Sequence, residues 1–425
     1  MTTSPTHPEA AETRSDGELA AEAREMLPEL VALRRRLHAD PELGLDTPRT
    51  QRRVLEALDG LGLEITTGAA ATSVVAVLRG ALPGPTVLLR GDMDGLPLDE
   101  DTGLDFAAEN GAMHACGHDL HTAGLVGAAR LLAARRDELA GDVLFMFQPG
   151  EEGAGGAQVM IDEGLLDTTG SRPEAAYALH VAPGPRGVVA TRPGAAMAGS
   201  SSLTITVRGR GGHGSQPHRA QDPVPTAAEI VQALQTMVAR RFDAFEPVVL
   251  SVTQLSTDAG VVNIIPDTAT LQATVRTTSE AAVEQLREEL PRLAEGIASA
   301  HGMSAEVDFE VLYPPTINDA ARTAECLDVL RETLGAERVV SMDRAAMGSE
   351  DFAFVLQQVP GTFFMLLAGP EDPQASGEVN HSPRVIFDDS VLAEAAAALA
   401  TLAHARLAAG ASDSAVSGDV SATTG

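Results

Sequence analysis

Apolar residues recur at helical spacing over residues 18–39, at Leu19, Ala23, Met26, Leu30, Leu33 and Leu37. This predicts an opening helix that Pro28 would kink or split. A second helix is predicted over 47–61 and a third over 119–136. Continuous apolar runs at 73–78, 86–90, 142–147 and 175–179 predict buried strands between them. From about Ala195 the pattern changes. Alternating strands at 202–208, 247–255, 269–277 and 305–312 are interleaved with helices at 222–241 and 279–301, in the order βαββαβ of a ferredoxin-like α+β unit. Helices at 320–334, 350–357 and 390–407 and a strand at 361–367 then resume the earlier pattern. The expected fold is α/β: a mixed-sheet domain built from 18–195 and 313–408, with the smaller domain, 196–312, inserted into it. Polar tails predicted to be disordered occupy 1–17 and 409–425.

The 425 residues suffice for two domains, and 44% hydrophobic content is globular. A formal charge of −30 opposes nucleic-acid binding, because phosphate neutralisation needs clustered cations. No apolar run approaches the roughly 20 residues that span a bilayer, and residues 2–16 lack the pattern of a secretory leader. The expectation is a cytoplasmic protein with no membrane partner. Two cysteines, Cys116 and Cys326, far apart in the chain, do not make a disulfide framework, and a reducing compartment fits.

Chemistry concentrates at residues 113–121, Met-His-Ala-Cys-Gly-His-Asp-Leu-His, in a chain with eleven histidines. His114, Cys116, His118, Asp119 and His121 are all candidate ligands. Three predicted strands deliver further polar groups at their carboxyl ends: Asp92 and Asp94, Glu151 and Glu152, and His180. Open α/β sheets place ligands at such ends. Each group has a bland reading alone: an Asx turn for Asp92 and Asp94, a helix-start acidic pair for Glu151 and Glu152, a satisfied core histidine for His180, a structural C-terminal histidine for His38. Repetition at three strand ends argues for a site. Cys116, His118, Glu152, His180 and His381 would supply ligands for two divalent ions, and Glu151 a general base. Asp92 and Asp94 would orient imidazoles behind the ligands, while His114, Asp119 and His121 orient Cys116 and His118 or cap the next helix. Mixed sulfur, nitrogen and oxygen ligation suits Zn and also admits Mn, Co or Ni.

Several further motifs accompany these: Leu37-His38 with Pro41-Glu42-Leu43-Gly44, residues 90–97, residues 147–153, Gly211-Gly212-His213-Gly214 with Pro217-His218, Asn263-Ile264-Ile265-Pro266, Thr274-Val275-Arg276-Thr277, Gly348-Ser349-Glu350-Asp351-Phe352 and Asn380-His381-Ser382-Pro383. Together they resemble the two-metal amidohydrolase and metallopeptidase superfamily that includes aminoacylase and succinyl-diaminopimelate desuccinylase. Within it the chain is most similar to the branch of hippurate hydrolases, auxin-amino-acid-conjugate hydrolases and related N-acyl-amino-acid amidohydrolases, from Leu33 to about Leu407. The resemblance implies metal ligation by Cys116, His118, Glu152, His180 and His381, and general-base work by Glu151. It aligns Asp94 with a supporting carboxylate, and puts Asp92 where some relatives carry a ligating His. It implies an inserted domain that acts as lid and dimerisation surface in a homodimer or tetramer. His213 would polarise the scissile carbonyl, in cis or across a dimer, and Asn263 and Arg276 would hold the carboxylate of an N-acyl amino acid. For Arg276 this has independent sense, because guanidinium grips carboxylate as a two-pronged fork.

Three other readings stay open: a metallo-carboxypeptidase or dipeptidase acting on small peptides, a thiol hydrolase with Cys116 as nucleophile, and a catalytically silent binding module.

Overall fold

The computed structural model describes residues 16–371 and 378–420. An eight-stranded mixed sheet forms its centre. Three neighbouring strands, Ala140–Gln148, Leu82–Asp92 and Ala175–Ala182, run parallel in its middle, and Gly361–Leu367 adds a fourth parallel strand beside the last. The first three are almost wholly buried toward their carboxyl ends and the fourth over its first four residues, which explains why their sequences read as continuous apolar runs and not as alternating ones.

The helices Asp16–His38, His118–Ala133 and Val391–Val420 pack on one another against one face of this sheet. The first runs continuously through Pro28. Close approach of the other two depends on Gly127, where a Cβ would lie 2.7 Å from that of Ala396. The Val391–Val420 helix departs from expectation twice. It continues where a polar tail was predicted from 409, since the Ala-rich sequence contains no proline to stop it. Its first 20 residues, Val391–Gly410, are also long and apolar enough to cross a membrane, contrary to the sequence reading, yet 72% of that window is buried inside the protein, as in a core helix. Of the N-terminal tail, residues 1–15 lie outside the described residues, and Asp16 and Gly17 begin the first helix.

Residues 199–313 form the second unit. Its four antiparallel strands are Val248–Thr257, Thr268–Thr277, Gly199–Arg208 and Ser304–Tyr313, in that spatial order, with the helices Pro223–Arg241 and Glu280–Ala300 over one face. This is the ferredoxin-like order expected from the alternating pattern. Leu203, Ile205, Val207, Leu271 and Val275 point into its core. Ser200, Ser202, Thr274 and Arg276 lie on the opposite, open face.

Short elements escaped the periodicity. Among them are the two-residue strand pair Gly212–His213 with Ile264–Ile265 and the helix Gly156–Asp162. The helix predicted over 350–357 shrinks to Ala353–Leu356, because Glu350 and Asp351 are engaged in side-chain bonding at its start.

Candidate metal centre and active site

The carboxyl ends of the parallel strands share one edge of the sheet, and the candidate ligands collect there. Gly117 makes the first junction possible: at φ 83° it turns the chain from Cys116 into the helix beginning at His118, and a Cβ at this position would collide with Val181. Cys116 Sγ then lies 3.4 Å from His180 Nε2 and 3.3 Å from His381 Nε2. His381 Nε2 is also 3.0 Å from Glu152 Oε1.

The five expected ligands fall into two groups of donor atoms, Cys116 with His118 and His180, and Cys116 with Glu152 and His381, in each of which the atoms lie within 4.8 Å of one another; His118 with Glu151 and Glu152 forms a further one. Cys116 belongs to both of the first two. His118 is fully buried with neither ring nitrogen in a hydrogen bond, flanked by Asp94 Oδ1 at 3.4 Å and Asp92 Oδ2 at 3.5 Å. Burying an imidazole without hydrogen bonds is costly, so the convergence of His118 with these thiol, imidazole and carboxylate donors fits a pair of divalent cations.

The surrounding groups fix this arrangement. His180 Nδ1 donates to the Val181 carbonyl at 2.7 Å, which leaves Nε2 facing Cys116. His121 accepts at Nε2 from the Val181 amide at 2.7 Å and donates from Nδ1 to Asp92 Oδ1 at 2.5 Å. Both its nitrogens are spent, so His121 acts as a support for the ligand shell. Asp92 Oδ2 forms ion pairs with Arg90 at 2.6 Å and with His118 at 3.5 Å. Asp94 accepts from the backbone amides of Glu151 and Glu152, at 3.0 and 3.1 Å.

Two expected supports sit elsewhere. Asp119 was placed behind the ligands, but its carboxylate faces Arg34 Nε at 2.6 Å and His38 Nδ1 at 2.8 Å, one helix away from the donor groups. The first turn of the helix points it backwards into the core, where a buried guanidinium needs a counter-charge. His114 is buried with both nitrogens unbonded, 6.3 Å from the His38 ring, and burial pushes its pKa down to about 4.

Electrostatics follow from burial and neighbours. Burial pushes the Cys116 thiol up, but His180, His118 and His381 outweigh it and hold the thiol well below its usual range. Burial, together with the charges of Glu350, Asp351 and Glu152, holds the Glu151 carboxyl well above the usual range. Glu350 and Asp351, from the Gly348–Phe352 motif, are themselves gripped by the buried Arg90, whose Nη2 donates to Glu350 Oε1 at 2.8 Å and to Asp351 Oδ1 at 3.2 Å.

A cavity of about 620 Å3 opens beside these groups, lined by Glu151, Glu152, His180 and His381 from the large domain and by Arg276 and Tyr313 from the inserted one. Arg276 spends Nη1 on Ser200, Thr274 and the Val275 carbonyl and meets no carboxylate among the described residues. His213 and Asn263 do not line this cavity. Both are exposed, His213 on the small strand pair of the inserted domain with its Nδ1 bonded to Ser215, and Asn263 just before the partner strand Ile264–Ile265. Sequence reasoning missed Tyr313 and Ser200, and quoted Asn380 in a motif without a role; it donates to the Val181 carbonyl at 3.2 Å. Asn380 precedes a noted histidine. Tyr313 and Ser200 carried no signal.

Comparison with known proteins gives the same grouping. The chain is 37% identical to thermostable carboxypeptidase 1 of Saccharolobus solfataricus, over 92% of this chain and 97% of that protein. It is 35% identical to IAA-amino acid hydrolase ILR1-like 4 of Arabidopsis thaliana, over 88% of this chain and 84% of that one. The crystal structure of the Bacillus subtilis YXEP protein, a dinuclear metal binding peptidase, superposes with a TM-score of 0.78 at 32% identity, covering 90% of this chain and 99% of that chain. The sequence model of peptidase family M20/M25/M40 matches residues 88–405, and the chain belongs to that family.

Proposed function

We propose that this metal-dependent hydrolase of amide bonds cleaves N-acyl L-amino acids to a carboxylic acid and a free amino acid. One observation carries the reading: Arg276, a cation with no acidic partner among the described residues, shares a cavity with Glu151 and the two donor groups. A substrate carboxylate held by the free edge of Arg276 would present its amide nitrogen side to Glu151.

Cys116, His118, Glu152, His180 and His381 would hold two divalent ions, Zn, Mn, Co or Ni. When bound, these supply Lewis-acid polarisation of the carbonyl and a lowered pKa for the attacking water. Glu151 would take the proton from the attacking water and return it to the leaving amine. Asp94 keeps Glu151 in place through the backbone. His213 and Asn263 would complete the site from the second subunit of a homodimer, since both are exposed and absent from this subunit's cavity. The apolar side chains near them, Val262 and Ile264, are more than half exposed and are suited to burial there.

The test is a panel of N-aroyl and N-acetyl amino acids, their C-terminal amides, and free dipeptides, assayed with metal-loaded enzyme and with Glu151→Gln. N-acyl amino acids should be hydrolysed well, their amides at least about a hundredfold less efficiently, and Glu151→Gln should bind metal with almost no turnover. Equal hydrolysis of the capped amides would sink the carboxylate anchor. A preference for dipeptides would favour the carboxypeptidase reading, which the Saccharolobus relative supports. Activity that survives chelation would favour a thiol mechanism, and no hydrolysis of any panel member a silent module.

A further inference from the structure

Glu151 and Glu152 sit on a turn with little stiffness of its own. Gly150, Gly153 and Gly155 surround them at φ 76°, 83° and 66°, so the segment has the freest backbone a chain can offer. What it has instead is bonding from both sides. From the large sheet, Asp94 takes the two amides. From the inserted domain comes Tyr313, the last residue of the Ser304–Tyr313 strand.

The Tyr313 hydroxyl donates to the Glu151 carbonyl at 2.6 Å and accepts from the Gly155 amide at 3.2 Å. It therefore bridges the two ends of the turn. The Glu151 carbonyl also accepts from Gly153 at 2.8 Å, so both its lone pairs are used. Tyr313 is 8% exposed and lines the cavity, and its ring meets Phe354 edge-on at 6.1 Å between centroids. Its backbone pairs with Ser200, whose hydroxyl accepts from Arg276. Tyr313 and Arg276 thus flank Ser200 from the two strands on either side of Gly199–Arg208.

We infer that Tyr313 is a positioning residue: its hydroxyl fixes the Glu151–Gly155 turn and so aims the Glu151 carboxylate. The inference rests on Glu151 working at the reaction. The variant Tyr313→Phe removes only the hydroxyl and keeps the ring. In metal-loaded Tyr313→Phe, kcat should fall about tenfold with KM within about twofold, the rate equivalent of losing one modest hydrogen bond. The Glu151 and Glu152 amides, which bond to Asp94 and not to Tyr313, should exchange with solvent about tenfold faster, while the melting temperature stays within about 2 °C. Phe354→Leu, which disturbs the ring contact alone, should leave kcat and exchange unchanged. Wild-type kcat or wild-type exchange in Tyr313→Phe overturns the assignment. So does an equal effect of Phe354→Leu, which makes the contribution one of packing, or a Tyr313→Phe chain that fails to fold, which makes it one of global stability. If no N-acyl amino acid proves to be a substrate, the exchange rates alone judge the role of Tyr313.

Discussion

Asp94 and Glu151, 57 residues apart, are joined through the backbone: Asp94 Oδ1 accepts the Glu151 amide at 3.0 Å, and its other oxygen takes the next amide. A carboxylate used this way acts on its partner's position and leaves the Glu151 side chain free. Asp94→Ala should therefore lower kcat about a hundredfold with a smaller change in KM. Steady-state kinetics on the best substrate of the panel checks this, and an unchanged kcat would show that the turn holds without Asp94.

Because Cys116 is common to both donor groups, Cys116→Ser should weaken retention of both ions, whereas His381→Ala should weaken one. Metal content after mild chelation, measured by plasma mass spectrometry, separates the cases. Two ions retained in Cys116→Ser would remove the sulfur from the ligand set.

Asp119 belongs to the stability of the core. It neutralises Arg34 where both are buried, and Arg34 and His38 hold its carboxyl far below the usual range against the opposing effect of burial. Asp119→Asn leaves the guanidinium undercompensated and should cost about 3 kcal/mol of stability while metal content stays intact. Denaturant unfolding of the metal-loaded protein checks this, with loss of metal as the contrary outcome.

His38 shows the opposite sign. Burial lowers its pKa, but Asp119 and Glu100 outweigh this and raise it above 6.5. A raised histidine contributes fully below its unfolded pKa and loses that contribution as pH rises through the folded value. The melting gap between wild type and His38→Gln should be widest below about pH 6.5 and narrow at alkaline pH. A gap that does not change with pH would mean that His38 is bonded as a neutral ring throughout.

If His213 acts across a dimer, His213→Ala and Glu151→Gln should each be nearly inactive, and mixing them under subunit exchange should restore about a quarter of wild-type activity, as one intact site forms in half the dimers. Activity that stays absent in demonstrated mixed dimers would place His213 in its own subunit's site.

How far the sequence could be read depended on the kind of signal. The parallel strands announced themselves as apolar runs, and what followed each run, Asp92-Met93-Asp94, Glu151-Glu152 or His180, came to one edge because parallel neighbours must share one. Asp119 misled because adjacency to Cys116 and His118 in sequence does not survive a helix: one residue's step, about 100°, turned it from the metal side to the core side. Tyr313 was invisible because its work is done by a hydroxyl on two backbone groups, and the sequence pattern records nothing about main-chain partners. The helix continuing past residue 409 lacked a stop signal, and small residues read equally well as a tail.

The order of strands in the large sheet also bears on how the protein is made. The Gly361–Leu367 strand lies between Ala175–Ala182 and Val189–Thr191, and the latter's other neighbour is Val339–Ser341. Val189–Thr191 thus has no partner until residues nearly 150 positions later have been synthesised. A nascent chain that has released its inserted domain still holds an unfinished sheet edge, and it lacks His381 as well. Residues 361–381 close both the sheet and the donor set, so a nascent chain that lacks them offers neither the complete sheet nor all of the donor atoms.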